Sequence, residues 1–401
     1  MKNNIHFWLV IIMNMNVMMG AGVFVNLSPL TSLAGSLSAL SYVVMALMVL
    51  PLVLVIAELA KINPAVEGGL FSYSKEGLGV TAGTIGVVTY FFAKTISQAV
   101  LLRAIVLEYL PSIFPIFSKF SGSLLIIVTA ILFGFLNARG MKFGSKLQLI
   151  FMFLKGIPVL AAILLLGFIF TPSYFTVETL PTVGGFSSAL PIALYAMMGF
   201  ETCCSIGHTV KGGEKHLYKI VVTSFLLVAS LLALFQFSLY ACLGPSLSGL
   251  EAPLGIFFTK LESIPFLDSA GKMLANSFIL LSMMGAYYGI MQANNWNMFA
   301  IAKDLNKFLI FTRTNKHGMP IWCIVLQVIV SLFFALSMMQ LPSLQRIVVF
   351  GIVVCYFLTV FAFLKFYKFK RDQIVLPKIV AYLSVVSCLY ISYQCVKGLI
   401  L

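Results

Sequence analysis

Long apolar stretches separated by short polar ones recur along the whole chain, at about 7–33, 36–60, 79–108, 122–138, 147–170, 187–209, 218–243, 269–302, 320–340, 346–368 and 379–400. A helix of ~20 apolar residues crosses the hydrocarbon of a bilayer. It also closes its own backbone hydrogen bonds where no water is available to do so. A membrane β-barrel would show ~10-residue segments of alternating polarity, and these stretches do not alternate. The pattern predicts an all-α membrane protein with about eleven spanning helices. The stretches 79–108 and 269–302 are longer than a bilayer needs, which predicts tilt or extension beyond it.

Composition sharpens this. Of 401 residues, 61% are hydrophobic and 9% charged, with a mean hydropathy of +1.04; a soluble domain carries roughly 25% charged residues. The net charge of +14 would suit nucleic acid if it formed one basic face. Most Lys and Arg instead fall in alternate short loops, such as Lys61, Lys142, Lys146, Lys211, Lys303 and Arg371, against few in the others, such as Lys119 and Arg346. By the positive-inside rule this predicts a multi-pass protein of the cell membrane, N-terminus cytoplasmic and C-terminus external, with no nucleic-acid partner. The first apolar stretch begins at Phe7 without a small-residue cleavage site, so it is expected to stay as a span.

The seven Cys form no CxxC and the four His are scattered, so neither a metal nor a cofactor is expected. The 19 Met read as core filler. A membrane-embedded enzyme would need paired Asp, a His cluster or a Ser/His pair at one depth, and none occurs.

Two stretches are interrupted. The first reads NMNVMMGAGVFVNLSPL and the sixth LPIALYAMMGFETCCSIGH, each with Met-Met-Gly at mid-depth. They lie five spans apart, an odd offset that inverts the second copy, and paired interruptions of this kind point to an inverted-repeat transporter. Glycine lets the backbone leave helical geometry and lets a ligand come close. Freed N–H groups at Gly20, Ala21 and Gly22 would cradle a carboxylate at a half-helix N-terminus. Carbonyls of Met18, Met19, Ala196 and Met197, beside Gly199, would accept from an ammonium. The alternative is that these glycines serve only close helix packing.

At these residues the chain resembles the amino acid–polyamine–organocation superfamily. GAGVF at 20–24 is similar to its first-helix GSGIF-type motif, and AELAKINPAVEGGLFSYSKEGLG at 57–79 to the loop after its second helix. Gly199-Phe200-Glu201 is similar to its sixth-helix motif, and FAIAKDL with NKHGMPIW to the stretch from the eighth helix into the ninth. The spacing from Pro64 to Gly69 and Ala302-Lys303-Asp304 look most like the basic amino acid/polyamine antiporter branch. The resemblance implies a LeuT-like five-plus-five inverted repeat, residues 1–170 and 187–368, with 379–400 as an added helix. It implies a substrate held between the first, third, sixth, eighth and tenth helices, with Tyr195 as an aromatic gate and Gln98 as a polar contact. It also implies that Lys155, in the fifth helix, fills the place a sodium ion takes in sodium-coupled relatives, as a fixed charge or a proton switch.

Three charges within spans complete the reading. Glu201 is expensive in a membrane and so is a functional candidate, either exchanging a proton or bracing the unwound segment. Lys94, near the pocket, would repel basic substrates and favour a carboxylate, pair with Glu201, or face an inner vestibule. Arg103 is expected to snorkel to the outer end. Of the polar strip Gln292, Asn294, Asn295 and Asn297, some members must bond across helices. The expectation is a sodium-independent carrier of amino acids or related amines, by exchange or with protons as a second partner; the other reading is an amino-acid sensor of the same fold without turnover.

Overall fold

The computed structural model describes residues 5–20, 22–63, 68–166, 170–211, 213–250, 265–339 and 341–400, together with Leu254 and Phe257. Ala21 and Pro64, singled out above, lie outside the described residues. What is described is helical; β-type pairing is limited to two isolated bridges, Ile5 with Val210 and Thr314 with Pro320.

The first apolar stretch folds as three pieces, α1 (Phe7–Met18), α2 (Gly22–Val25) and α3 (Leu27–Ala34). Next come α4 (Ser38–Ile62), α5 (Leu70–Leu78) and α6 (Val80–Arg103), the last continuing through a π-helical turn at Ala104–Tyr109. Then follow α7 (Gly122–Asn137), α8 (Met141–Leu164), α9 (Val183–Met197) and α10 (Thr202–Ser205). The remainder is α11 (Gly213–Leu243), α12 (Pro265–Leu305), α13 (Ile321–Ala335), α14 (Leu341–Phe369) and α15 (Lys378–Ile400).

Among the described residues seven helical stretches are long and apolar enough to cross a membrane: Leu27–Ile62, Val80–Ile113, Met141–Leu164, Val183–Ser205, His216–Leu247, Met273–Leu305 and Ile347–Phe369. Phe7–Met18, Gly122–Asn137 and Ile321–Ala335 are shorter apolar helices. Side chains such as Phe153, Leu164 and Phe333 point outward, 70%, 77% and 71% exposed, which suits lipid and would not suit water.

Several boundaries differ from the sequence reading by four to six residues, and two of them have a local cause. α8 starts at Met141 rather than 147, because Gly140 turns the chain at φ 98° and the polar Lys142 and Lys146 simply sit on the exposed side of its first turns. α9 starts at Val183 rather than 187, where the Thr182 side chain caps it by accepting from the Gly185 N–H at 3.1 Å.

The most extensive packing joins α4 to α11 and α6 to α14, with α12 lying against both α6 and α8. Polar side chains fasten these layers where apolar contact alone would let helices slide. Gln236 of α11 donates to Leu27 O, Thr31 Oγ1 and Ser38 Oγ at 3.3, 3.0 and 3.1 Å. Asn14 of α1 donates to Phe200 O and Ser224 Oγ at 2.9 and 2.6 Å and accepts from the Cys203 N–H at 3.1 Å. Asn14 therefore satisfies one carbonyl and one N–H of the backbone around the break before α10. Asn14→Leu is expected to destabilise the protein by about 1–3 kcal/mol for each group it orphans. Thermal unfolding in detergent measures this, and an unchanged midpoint would exclude the role.

Ion pairs gather at one end of the bundle. Lys75 pairs with Asp304 and Lys370 with Glu76. Glu58 holds Lys61 at 3.3 Å and accepts from the Val375 N–H at 2.9 Å.

Candidate functional site

The two interrupted stretches lie against each other. α1 ends at Met18, and the chain is helical again from Gly22. α9 ends at Met197; Met198 is extended and Gly199 takes φ +116°, a conformation that costs glycine little and other residues much. A side chain at Gly199 would also press on Val17 at 3.3 Å, and one at Gly22 would meet Ala196 Cα and Cβ at 2.9 Å. Asn26 Nδ2 donates to Ile192 O at 2.9 Å and ties α2 to α9. Gly22 thus serves close packing, while the first N–H groups of a helix, having no intrahelical acceptor, remain available.

Between the breaks lies a cavity whose walls come from five separate stretches. Met18, Gly20 and Gly22 form one wall and Tyr195 with Met198 another. Lys94, Ser97 and Leu101 enter from α6, Ala286 and Ile290 from α12, and Val348 and Ile352 from α14. The volume open to the centres of water-sized spheres is about 50 Å³; about 10–15 Å³ holds one water, so a small ligand is the right scale.

Several expected residues stand elsewhere. Met19, Ala196 and Met197 are buried next to the cavity wall, and the Met19 carbonyl is already engaged. Gln98 is not among the lining residues: its amide donates to Gln327 Oε1 at 3.2 Å. Ser97 and Leu101 take its place. They follow Lys94 by three and seven residues, a helical face on which Gln98 lies to one side. Ser97 stands beside the Tyr195 side chain.

Lys155 of α8 is fully buried. Its ammonium donates to the carbonyls of Asn16, Met19 and Ser282 at 3.0, 2.6 and 3.3 Å. Ser282 Oγ adds donations to Met19 O and Gly20 O at 3.1 and 3.2 Å. The carbonyls freed where α1 unwinds are therefore satisfied by a cation and a hydroxyl, and α1, α8 and α12 meet at this one ammonium.

Glu201 is equally buried. Its Oε1 lies 2.9 Å from Lys94 Nζ and accepts from Tyr90 Oη at 2.7 Å; its Oε2 accepts from Tyr356 Oη at 2.8 Å. Of the alternatives for Lys94, the structure takes the pairing, with the ammonium also 5.2 Å from the centre of the Tyr90 ring. Tyr90 and Tyr356 had no signal in the sequence. They are 111 and 155 residues from Glu201, and nothing in a helical stretch marks one Tyr as a carboxylate partner.

The polar strip on α12 bonds across helices. Asn294 donates to Phe91 O, Thr95 Oγ1 and Gln327 Oε1 at 3.1–3.3 Å, and Asn297 receives the Ser205 hydroxyl at 2.8 Å. Gln292 accepts from Gln148 at 2.6 Å, which in turn accepts from Asn16 at 3.4 Å. Asn295 receives the Gln327 amide. Arg103 donates to Met339 O at 2.6 Å. Among the described residues no group of three or more His, Cys, Asp or Glu could hold a metal ion.

Comparisons with known proteins bear on this geometry. A family model described as amino acid permease matches residues 5–396. An arginine/ornithine antiporter of Pseudomonas aeruginosa is 25% identical over 293 residues, covering 70% of this chain and 60% of the antiporter. An uncharacterized transporter of Legionella pneumophila is 24% identical over 310 residues, covering 74% of this chain and 66% of that protein. The chain thus spans a little under two thirds of the length of the curated relatives it matches.

Proposed function

Because the chain belongs to the amino acid permease family, we propose that it is a transporter, carrying amino acids or related amines by alternating access without sodium. The observation that carries the last part is Lys155. Its ammonium occupies the carbonyls of Asn16, Met19 and Ser282, a cluster of oxygens of the kind that holds a small cation.

The same reading gives the fold its plan. About eleven helices span the cell membrane, the N-terminus inside and the C-terminus outside. Residues 1–170 and 187–368 are inverted repeats, and 379–400 adds a helix. Supporting this, the breaks fall in the first and sixth stretches, and the cavity takes its walls from the first, third, sixth, eighth and tenth. Unwound backbone at mid-depth is tolerated where it lines such a cavity.

Within it, the backbone N–H groups around Gly22 receive the substrate carboxylate; the Gly20 N–H donates to the Met18 carbonyl at 2.8 Å, so that bond parts when Gly20 joins the cradle and Met18 receives the ammonium. Tyr195 closes over the ligand. The named antiporter relative favours exchange.

Uptake of a labelled amino-acid panel into proteoliposomes in sodium-free buffer tests the proposal. Uptake confined to vesicles preloaded with amino acid is expected, and added sodium should change it by less than about twofold, since Lys155 already holds the carbonyls beside the first break. Uptake into empty vesicles under an imposed pH gradient would replace exchange with proton symport. A strict sodium requirement would overturn the role of Lys155, and no uptake by a folded sample that binds amino acids would overturn the carrier itself.

A further inference from the structure

We propose that Lys94 sets the charge selectivity of the cavity, refusing amino acids with cationic side chains and accepting those whose side chain offers an oxygen acceptor. This rests on the carrier reading above and adds a substrate class to it.

Only one partner of the Lys94–Glu201 pair meets the cavity. Lys94 lines it. Glu201 does not: its side chain is 0% exposed, against 7% for Lys94. Both Glu201 oxygens are engaged, Oε1 by Lys94 and Tyr90 and Oε2 by Tyr356. The pair therefore presents its positive end to a ligand and keeps its negative end behind, where no ligand reaches it.

A charge count extends this. The buried charged residues among those described are Glu58, Lys94, Lys155 and Glu201. Glu58 belongs to the ion-pair group at the end of the bundle, held to Lys61. Around the breaks stand two ammonium groups and one carboxylate, and Lys155 donates to backbone carbonyls. The zwitterionic backbone of an amino acid leaves that balance unchanged. A cationic side chain raises the excess and a carboxylate side chain cancels it.

Against a basic side chain the cavity offers the Ser97 hydroxyl and the Tyr195 ring and hydroxyl, but no carboxylate among its lining residues. Around Lys94 it presents Ser97 and Leu101 on the same helical face, with Ile290, Val348 and Ile352 opposite. An ammonium carries three N–H donors. The geometry uses one of those on Glu201 and points another part of the Lys94 head at the ligand space. A carbonyl, carboxamide or carboxylate oxygen is the complement to that donor and to the Ser97 hydroxyl. Two like charges ~6 Å apart at an effective dielectric of ~20 repel by an amount equal to roughly 100-fold in affinity. Glu201 behind Lys94 offsets part of this, so about tenfold is the expected floor.

Glutamine, glutamate and ornithine test charge at matched length, since each carries a three-carbon side chain ending in polar atoms. The assay is competition against a labelled amino acid that the wild-type protein takes up in proteoliposomes. Glutamine and glutamate are expected to compete at least about tenfold better than ornithine. Lys94→Gln is expected to close that gap by a similar factor. Lys94→Gln combined with Glu201→Gln, which leaves neither member of the pair as an uncompensated charge and removes the ammonium that meets the ligand, should close it as well, and so covers the case in which the single variant does not fold. Equal or better competition by ornithine in the wild type would overturn the proposal while leaving the carrier intact. Refusal of all three beside ready uptake of alanine would also overturn it, because size and not Lys94 would then select. Failure of every amino acid to be taken up would count against the carrier reading.

Discussion

Lys155→Ala should abolish transport while the protein still reaches the membrane. The substitution removes a donor from three backbone carbonyls at once; Ser282 O keeps its place in the α12 helix, but Asn16 and Met19 stand at the break, where helix geometry and lipid offer little else. Each orphaned acceptor costs about 1–3 kcal/mol, and Ser282 Oγ can satisfy only part of the set. The break between α1 and α2 then has no fixed shape, and the cradle built on Gly20 and Gly22 loses its geometry with it. Loss of uptake by a factor of about 100 or more corresponds to some 3 kcal/mol and is within that range. The measurement is initial uptake rate per folded carrier, with the folded fraction taken from size-exclusion chromatography. Wild-type rates in the variant, with wild-type dependence on pH, would remove Lys155 from the mechanism.

Glu201→Ala is expected to have the largest effect on stability. It leaves Lys94 buried without its carboxylate and takes the acceptor away from Tyr90 and Tyr356. Removing one partner of a buried pair costs about 3–5 kcal/mol, because the remaining charge is uncompensated. Glu201→Gln combined with Lys94→Gln should recover most of that loss, and the size of the recovery is the coupling between them. If the single and double variants melt at the same temperature, the pair is not what holds α6 to the second break.

The helices were legible because a bilayer imposes one length and one composition on them. Where the sequence reading missed an edge, at Met141 the cause was Lys142 and Lys146, which read as a loop although they occupy one exposed side, and at Val183 it was the paired Gly184 and Gly185 inside the first turn. The breaks were legible for a local reason, since Gly199 at φ +116° needs a residue without a Cβ whatever packs around it. Side-chain partnerships were not. Gln98 and Ser97 are adjacent in sequence and differ by about 100° around α6, and only the packing of α6 against α13 decides which one meets the cavity. The Tyr90 and Tyr356 phenols reach Glu201 from two other helices, a juxtaposition that exists only once α6, α9 and α14 have assembled.

One more consequence follows from α12. It is an unbroken helix of 41 residues, so it is about 60 Å long, roughly twice the ~30 Å of bilayer hydrocarbon. A beam of that length acts as a lever. It carries Ser282, Ala286 and Ile290 at its middle, Asp304 near one end, and Asn276, which donates to Ser112 Oγ at 3.1 Å, toward the other. A tilt of ~10° about the cavity barely moves the central residues, yet displaces each tip by about 5 Å. Leverage of this kind turns a small accommodation around a ligand into a change at both surfaces. The Lys75–Asp304 contact must then part, or α5 must travel with the beam.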